Sequence, residues 1–212
     1  MTSEVHEVPV TVAPPAVLFV PWGPSSVDRA ARTAIELRQD RDLGGLVVAN
    51  EKALVPDLLS SWPHRTLRTR TAIPDRTAVA VVRPSYELLA GLRLGADCVV
   101  VVAEDPAEPL GGWAQFVGAL DLDSGEVQGL DVDDAVEEGF VRLLDATRGG
   151  LPDERSVRRA REAVEHLRSL GLSGPQVVGY LLSGRRPPGV RGYHGDAPFN
   201  ARAIRRLRAL LD

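Results

Sequence analysis

The stretch "TAVAVVRPSYELLAGLRLGADCVVVVAED", residues 77–105, decides the fold class. Its two ends, residues 77–84 and 97–105, are apolar runs rich in valine, which is typical of strands buried on both faces. The segment between them has helical spacing and begins at Ser85, a favourable N-cap residue. A strand, a helix and a second strand in this order indicate a unit of a parallel sheet.

The flanking segments extend this pattern. Residues 16–21 and 45–50 are predicted strands, and residues 25–40 are a predicted amphipathic helix capped by Ser25 or Ser26. Residues 51–62 predict a short helix interrupted by proline, and residues 113–132 alternate around "DSG", which predicts an antiparallel hairpin. We therefore expect an α/β fold: a mainly parallel sheet with helices on both faces plus a hairpin, followed by a small all-α domain of helix-turn-helix type.

Charge divides the chain into an acidic body and a basic tail. Residues 1–150 carry 13 basic and 23 acidic side chains, whereas residues 151–212 carry 12 basic and 6 acidic ones. The sequence predicts a flexible N-terminal arm at 1–13, an acidic α/β domain at 14–148 and a basic helical domain at 151–212, with "GGLPDE" (149–154) at the boundary. A basic tail of this kind either meets a polyanion or docks on an acidic surface.

Composition argues against several classes of protein. No apolar run approaches the roughly 18–20 residues that span a bilayer, so no membrane association is expected. The one cysteine, Cys98, lies in a predicted buried strand and suits a reducing cytoplasm, where we expect the protein to be located. The four histidines are far apart in the sequence, and the aspartates of residues 120–134 miss the spacing of a calcium loop. We expect no metal and no cofactor.

A possible DNA-binding motif lies in the tail, in "LRSLGLSGPQVVGYLLSGRRPPGVRG", residues 167–192. Gly171 supplies the tight turn of a helix-turn-helix, while Ser173 and Gln176 have capping-box spacing. The second helix carries almost no side chain able to read base edges, so contacts to phosphate are favoured. The candidate DNA-binding residues are Gln176, Arg185, Arg186, Arg191, Arg202, Arg205 and Arg206.

Residues 156–212 resemble the helix-turn-helix tail of serine recombinases and resolvases. In that family a "GLS" turn, an apolar second helix, a basic Pro/Gly-rich loop and a last helix follow one another in this order, as they do here. The resemblance implies DNA binding by the tail. The family places its nucleophilic serine soon after an arginine at the end of the first strand, whereas this chain reads "LFVPWGPSS" there. The resemblance therefore assigns no catalytic residue.

A second group of candidate residues belongs to the α/β half. Ligands of open parallel sheets bind at the carboxyl ends of the strands, where helix N-termini attract anions. The predicted strand ends would bring together basic, acidic and hydroxyl side chains able to bind a phosphorylated small molecule. This set of side chains does not decide whether the protein is an enzyme. These candidates are Ser25, Ser26, Lys52, Arg83, Ser85, Glu104 and Asp105.

Three functions follow from these patterns. The preferred one is a DNA-associated protein, regulatory or derived from a recombinase, that binds through arginine–phosphate contacts and forms a homodimer or larger homo-oligomer. The second is a small-molecule enzyme or binding protein that uses the crevice at the strand ends. The third is a protein whose tail arginines dock on acids such as Asp133, Asp134, Glu137 and Glu138.

Overall fold

The chain folds around a parallel β-sheet covered by helices on both faces. A computed structural model describes residues 16–66, 69, 72–147, 151, 153–185 and 201–211. The strands are β1 (Ala16–Val20), β2 (Gly44–Ala49), β3 (His64–Arg65), β4 (Thr77–Val82), β5 (Val99–Ala103) and β6 (Leu120–Asp121). The helices are α1 (Ser26–Asp40), α2 (Tyr86–Gly91), α3 (Gly111–Val117), α4 (Asp134–Thr147), α5 (Glu154–Ser169), α6 (Gly174–Ser183) and α7 (Ala201–Leu211).

All six strands are parallel, in the order β3-β2-β4-β5-β1-β6. The α/β class and the parallel sheet predicted from the valine-rich runs are confirmed. Alternate residues of each strand face opposite layers, as the period of a strand requires. Val79 and Val81 belong to the core under α2 and α3, whereas Ala78 and Ala80 belong to the core under α1.

Two local predictions hold only in part. The hairpin predicted at 113–132 is confined to residues 119–128, where the N–H groups of Asp121 and Gln128 donate to the carbonyl oxygens of Glu126 and Ala119 around the predicted turn. The first part of the stretch is helix α3, and β6 pairs with β1 in parallel at the edge of the sheet. Residues 51–62 form two separate 3-10 turns, Lys52–Leu54 and Asp57–Leu59, instead of one helix. The chain between these turns is extended at Val55 and Pro56, because proline fixes φ and biases its predecessor away from helix.

Helix α6 begins as its capping residues predict, since Ser173 and Gln176 form a capping box there. Asp153 and Ser156 form another at the start of α5, which the sequence pattern did not predict. Gly171 makes the turn between the two helices at φ 90°, a conformation that costs glycine little. The predicted arm at 1–13 and the boundary residues 148–150 and 152 lie outside the described residues.

Helix α6 is buried along most of its length. Val178 and Leu182 pack into the core under α2 and α3, while Val177 and Leu181 pack into a second, helical core built by α3, α4, α5 and α7. At the centre of this helical core Phe140 stacks on Tyr180, with 3.6 Å between ring centroids. Burial raises the pKa of Tyr180 to about 12, so its hydroxyl is neutral at ordinary pH.

Cys98 is buried as expected, and its thiol donates to the carbonyl oxygen of Pro74 at 3.2 Å. Within the described parts of the chain, none of the helices has the length and apolar character needed to cross a bilayer.

Candidate functional site at the carboxyl ends of the strands

Strands β2 and β4 define a crevice at their carboxyl ends. They are neighbours in the sheet, but the chain leaves β2 toward β3 on one side and leaves β4 toward β5 on the other. Divergent connections of this kind open a gap between the two loops, and ligands of parallel sheets commonly bind in such gaps. The gap here lies between the loop that begins at Asn50 and the loop Arg83–Ser85.

Asn50 joins the two loops across this gap. Its side-chain amide donates to the carbonyl oxygen of Arg83 at 2.9 Å. Its side-chain oxygen accepts from the backbone N–H of Ser85 at 3.1 Å and from the Ser85 hydroxyl at 2.9 Å. The same hydroxyl accepts from the N–H of Leu88 and so caps α2. Ser85 therefore shapes the crevice and caps a helix, and Asn50, which the sequence analysis did not select, holds Ser85 in place.

A cleft of about 320 Å³ opens beside this bridge, on the α1 face of the sheet. Arg83 and Val27 line it together with the segment 53–57, in which Asp57 adds a carboxylate. Lys52 immediately precedes that segment and is exposed. The structure thus places Arg83 in the cleft and Lys52 next to it.

Arg83 has two features that set it apart in this cleft. Its backbone has φ 43°, a left-handed conformation that is uncommon for residues other than glycine and that concentrates at ligand sites. Its Nε atom is buried without a hydrogen-bond partner in the described part of the chain. The guanidinium lies 4.8 Å from the ring centroid of Trp22, whose side chain is 45% exposed. Stacking on Trp22 holds the guanidinium while leaving a donor unused.

The N-terminus of α1 is adjacent, since Val27 is in its first turn. Ser25 occupies the N-cap position but makes no side-chain cap hydrogen bond. Ser26 is only 4% exposed, and its hydroxyl has no partner among the described residues. The first backbone N–H groups of a helix attract anions, most strongly where no side chain caps them. The two predicted serines thus immediately precede Val27, a lining residue of the cleft, and neither uses its hydroxyl to cap α1.

The carboxylates of Glu104 and Asp105 accept hydrogen bonds from nearby backbone N–H groups. One carboxylate oxygen of Glu104 accepts from the N–H of Trp22 at 3.0 Å, and the other accepts from the N–H of Leu110 at 2.6 Å. Asp105 accepts from the N–H of Ala107 at 2.8 Å within a turn. Neither acid lines the cleft. Glu104 instead fixes the Trp22 loop, so its contribution to the site is positional.

The predicted DNA-binding residues are spread over the tail. Gln176 caps α6 and donates to the side chain of Gln115 at 3.1 Å. Arg185 is exposed, while Arg206 is half-buried and donates to the carbonyl oxygen of Leu151. Arg186 and Arg191, and the side chains of Arg202 and Arg205, lie outside the described residues. Because α6 is buried between two cores, it has no broad exposed face to place in a DNA groove.

Two of the acids proposed as a docking surface have partners within or beside their own helix. Glu138 pairs with Arg142 of its own helix, and that guanidinium lowers the pKa of the Glu138 carboxyl. Asp133 caps α4 by accepting from the N–H of Val136 at 2.8 Å. The tail docks elsewhere: Arg208 pairs with Glu108 at 2.9 Å, and the other oxygen of Glu108 accepts from the N–H of Tyr86.

Fold and site together define an α/β protein with a parallel six-stranded sheet and an arginine-lined cleft at its carboxyl edge. Comparison with known proteins finds no matching family model, no similar curated protein and no similar solved structure. Among the residues that the structure describes, no group of three histidine, cysteine or acidic side chains could hold a metal ion.

Proposed function

We propose that this protein binds a small phosphorylated ligand in the cleft between α1, the 53–57 segment and the end of β4. The observation that carries the proposal is Arg83, which lines the cleft and has a buried Nε without a hydrogen-bond partner among the described residues. A buried donor without an acceptor costs stability, and a ligand oxygen would remove that cost. Arginine is suited to phosphate because its planar group donates two parallel hydrogen bonds.

The surroundings of Arg83 support the same ligand class. The uncapped α1 N-terminus, the hydroxyls of Ser25 and Ser26 and the nearby Lys52 all favour an anion. The apolar wall residues Val27, Leu54 and Val82 would contact an uncharged part of the ligand. Asp57 would accept a hydrogen bond from such a part, and it would disfavour a ligand that is anionic throughout. The ligand is therefore an organic phosphate rather than a bare polyanion.

Titration with butyl phosphate, a small organic phosphate with an uncharged chain, followed by Trp22 fluorescence, tests the site. The fluorescence should change because Trp22 stacks on Arg83. Replacing Arg83 with methionine keeps an unbranched apolar chain but removes the donors, and we expect the affinity to fall about tenfold, as loss of a charge-assisted hydrogen bond implies. Calorimetric titration of a Trp22→Phe variant checks that the ligand still binds when the fluorescence signal of Trp22 has been removed.

Arg76→Met is the matched control. Arg76 precedes the same strand at its other end, is exposed and also has positive φ, at 52°. Its replacement should leave the affinity for butyl phosphate unchanged. Equal affinities of the two methionine variants, or no binding by the wild-type chain, would reject the cleft as an anion site.

A second candidate function is association of the tail with DNA, favoured by one observation. Arg158 and Arg161 on α5 and Arg206 on α7 line a common cleft of about 490 Å³. Three arginines that line one cleft could follow the backbone of a duplex, although Asp153 and Glu154 also line it. In this proposal the helical tail acts as a basic unit that contacts phosphate, in keeping with its resemblance to recombinase tails, and Arg185 adds a further exposed charge.

Fluorescence anisotropy of a labelled duplex at about 50 and 200 mM salt tests this candidate, since phosphate contacts weaken steeply over that range. The Arg158→Ala/Arg161→Ala variant should bind DNA more weakly. Its plot of log affinity against log salt concentration should be less steep by about two units, one for each lost phosphate contact. The control, Arg32→Ala/Arg41→Ala, removes two exposed charges from α1 and its end and should bind as the wild type does. No binding at 50 mM salt would reject the candidate.

A further inference from the structure

A second cavity lies at the opposite end of the strands. It is a groove of about 530 Å³ on the face of the sheet covered by α2, α3 and α6. Val17 and Val100, which are paired neighbours near the amino ends of β1 and β5, form part of its wall. The cleft around Arg83 lies at the carboxyl ends of the same sheet, so the two cavities are separate.

The groove has an apolar floor. Trp113 and Phe116 of α3 and Leu182 of α6 line it, and all three side chains are at least nine-tenths buried from solvent. Leu94 forms an exposed lip, with 37% of its surface accessible. A volume of this size and an apolar lining are typical of sites that enclose most of a small ligand.

Two arginines stand among these apolar residues. Arg93 is held at the end of α2, where its guanidinium donates to the carbonyl oxygens of Ala90 at 3.2 Å and Leu92 at 3.0 Å. Arg185 follows Gly184 at the end of α6 and is exposed. Of the described residues that line the groove, none is acidic. The protein as a whole carries a net charge of −4, so a groove with two arginines and no described acid differs from the rest of it. An apolar floor beside these two arginines favours a ligand with an apolar body and a negative end.

We propose that this groove binds a soluble aliphatic carboxylate of the medium-chain fatty acid class. The alkyl chain would lie on Trp113, Phe116 and Leu182, where burial of its methylene groups drives binding. The carboxylate would lie at the rim, within reach of Arg93 and Arg185, where paired hydrogen bonds to guanidinium are favourable. This site is independent of the phosphate cleft proposed above.

Isothermal titration of the full chain with dodecanoate, below the concentration at which it forms micelles, tests the proposal. We expect saturable binding and a change in Trp113 fluorescence, because that indole lines the groove. Arg185→Glu replaces attraction with repulsion at an exposed rim and should weaken binding about five- to tenfold. Leu94→Asp, at the exposed lip, should weaken it further without disturbing the buried floor.

Two controls separate the groove from general charge effects. Arg32→Glu makes the same charge change on α1, on the other face of the sheet, and should leave dodecanoate binding unchanged. Dodecanol should bind to the wild type more weakly than dodecanoate does. Because it has no charge, its affinity should be about the same for the wild type and for Arg185→Glu. The proposal fails if dodecanoate does not bind, or if Arg185→Glu and Arg32→Glu weaken dodecanoate binding equally. It also fails if the protein binds anionic lipid vesicles but not dissolved dodecanoate.

Discussion

Gly179→Ala is expected to lower the free energy of unfolding by about 3 kcal/mol, at the upper end of what overpacking usually costs. A Cβ atom at Gly179 would lie 2.3 Å from the backbone nitrogen of Trp113 and 2.4 Å from the carbonyl carbon of Gly112. Both are backbone atoms of α3, so no side-chain rotation can relieve the overlap. Helices α3 and α6 would have to separate, which opens the cores on both sides of α6.

Urea denaturation measures this loss, and Gly111→Ala is the matched control. Gly111 lies beside Gly112 in α3, but a Cβ there would meet nothing within 4 Å. Alanine is favoured over glycine inside helices by up to about 1 kcal/mol, so propensity alone predicts that both variants gain stability. The overlap at Gly179 reverses that sign. If Gly179→Ala proved as stable as Gly111→Ala, the close contact between α3 and α6 would be contradicted.

Phe140→Ala is expected to cost about 4 kcal/mol, the usual range for removing a buried aromatic side chain. Phe140 is fully buried in the helical core, where it stacks on Tyr180 and meets Phe116 edge to face with centroids 5.9 Å apart. Its removal takes away both aromatic contacts and leaves a cavity between α4 and α6. Because Phe116 belongs to α3, the loss should also loosen the attachment of the later helices to the sheet.

The effect is measured by urea denaturation together with the near-ultraviolet circular dichroism of the aromatic side chains. Val141→Ala serves as the control, because Val141 follows Phe140 in α4 but is only half-buried. We expect it to cost about 1 kcal/mol, typical of partial truncation outside a core. A Phe140→Ala variant within 1 kcal/mol of the wild type would contradict the position of Phe140 in the helical core.

The sheet could be predicted because its signal is local. Strands β4 and β5 are buried on both faces, and such strands are apolar at every position. The two-residue strand β3 was missed, since so short a run has no measurable period. The predicted hairpin was too long, because Trp113 and Phe116 also fit helical spacing and contact with α6 favours the helix there. Only residues 119–128 keep the hairpin.

Part of the site could also be predicted. Arg83, Ser25 and Ser26 were selected because they follow strands or begin a helix, and the structure places them in or beside one cleft. Glu104 was selected for the same reason, yet backbone N–H groups occupy both of its oxygens. Nothing local distinguishes an acid that binds a ligand from one that fixes a loop. The bridging role of Asn50 depends on β2 and β4 being neighbours, which residues 50 and 85 do not show by themselves.

The sequence by itself determined the α/β class, the parallel sheet and the helix starts at Ser85 and Ser173, because apolar period and capping depend on residues a few positions apart. The tertiary structure alone decided the strand order, the burial of α6 between two cores and the position of Arg83 in the cleft. Those features depend on contacts between segments far apart in the chain, where close packing selects one arrangement among several with the same local pattern.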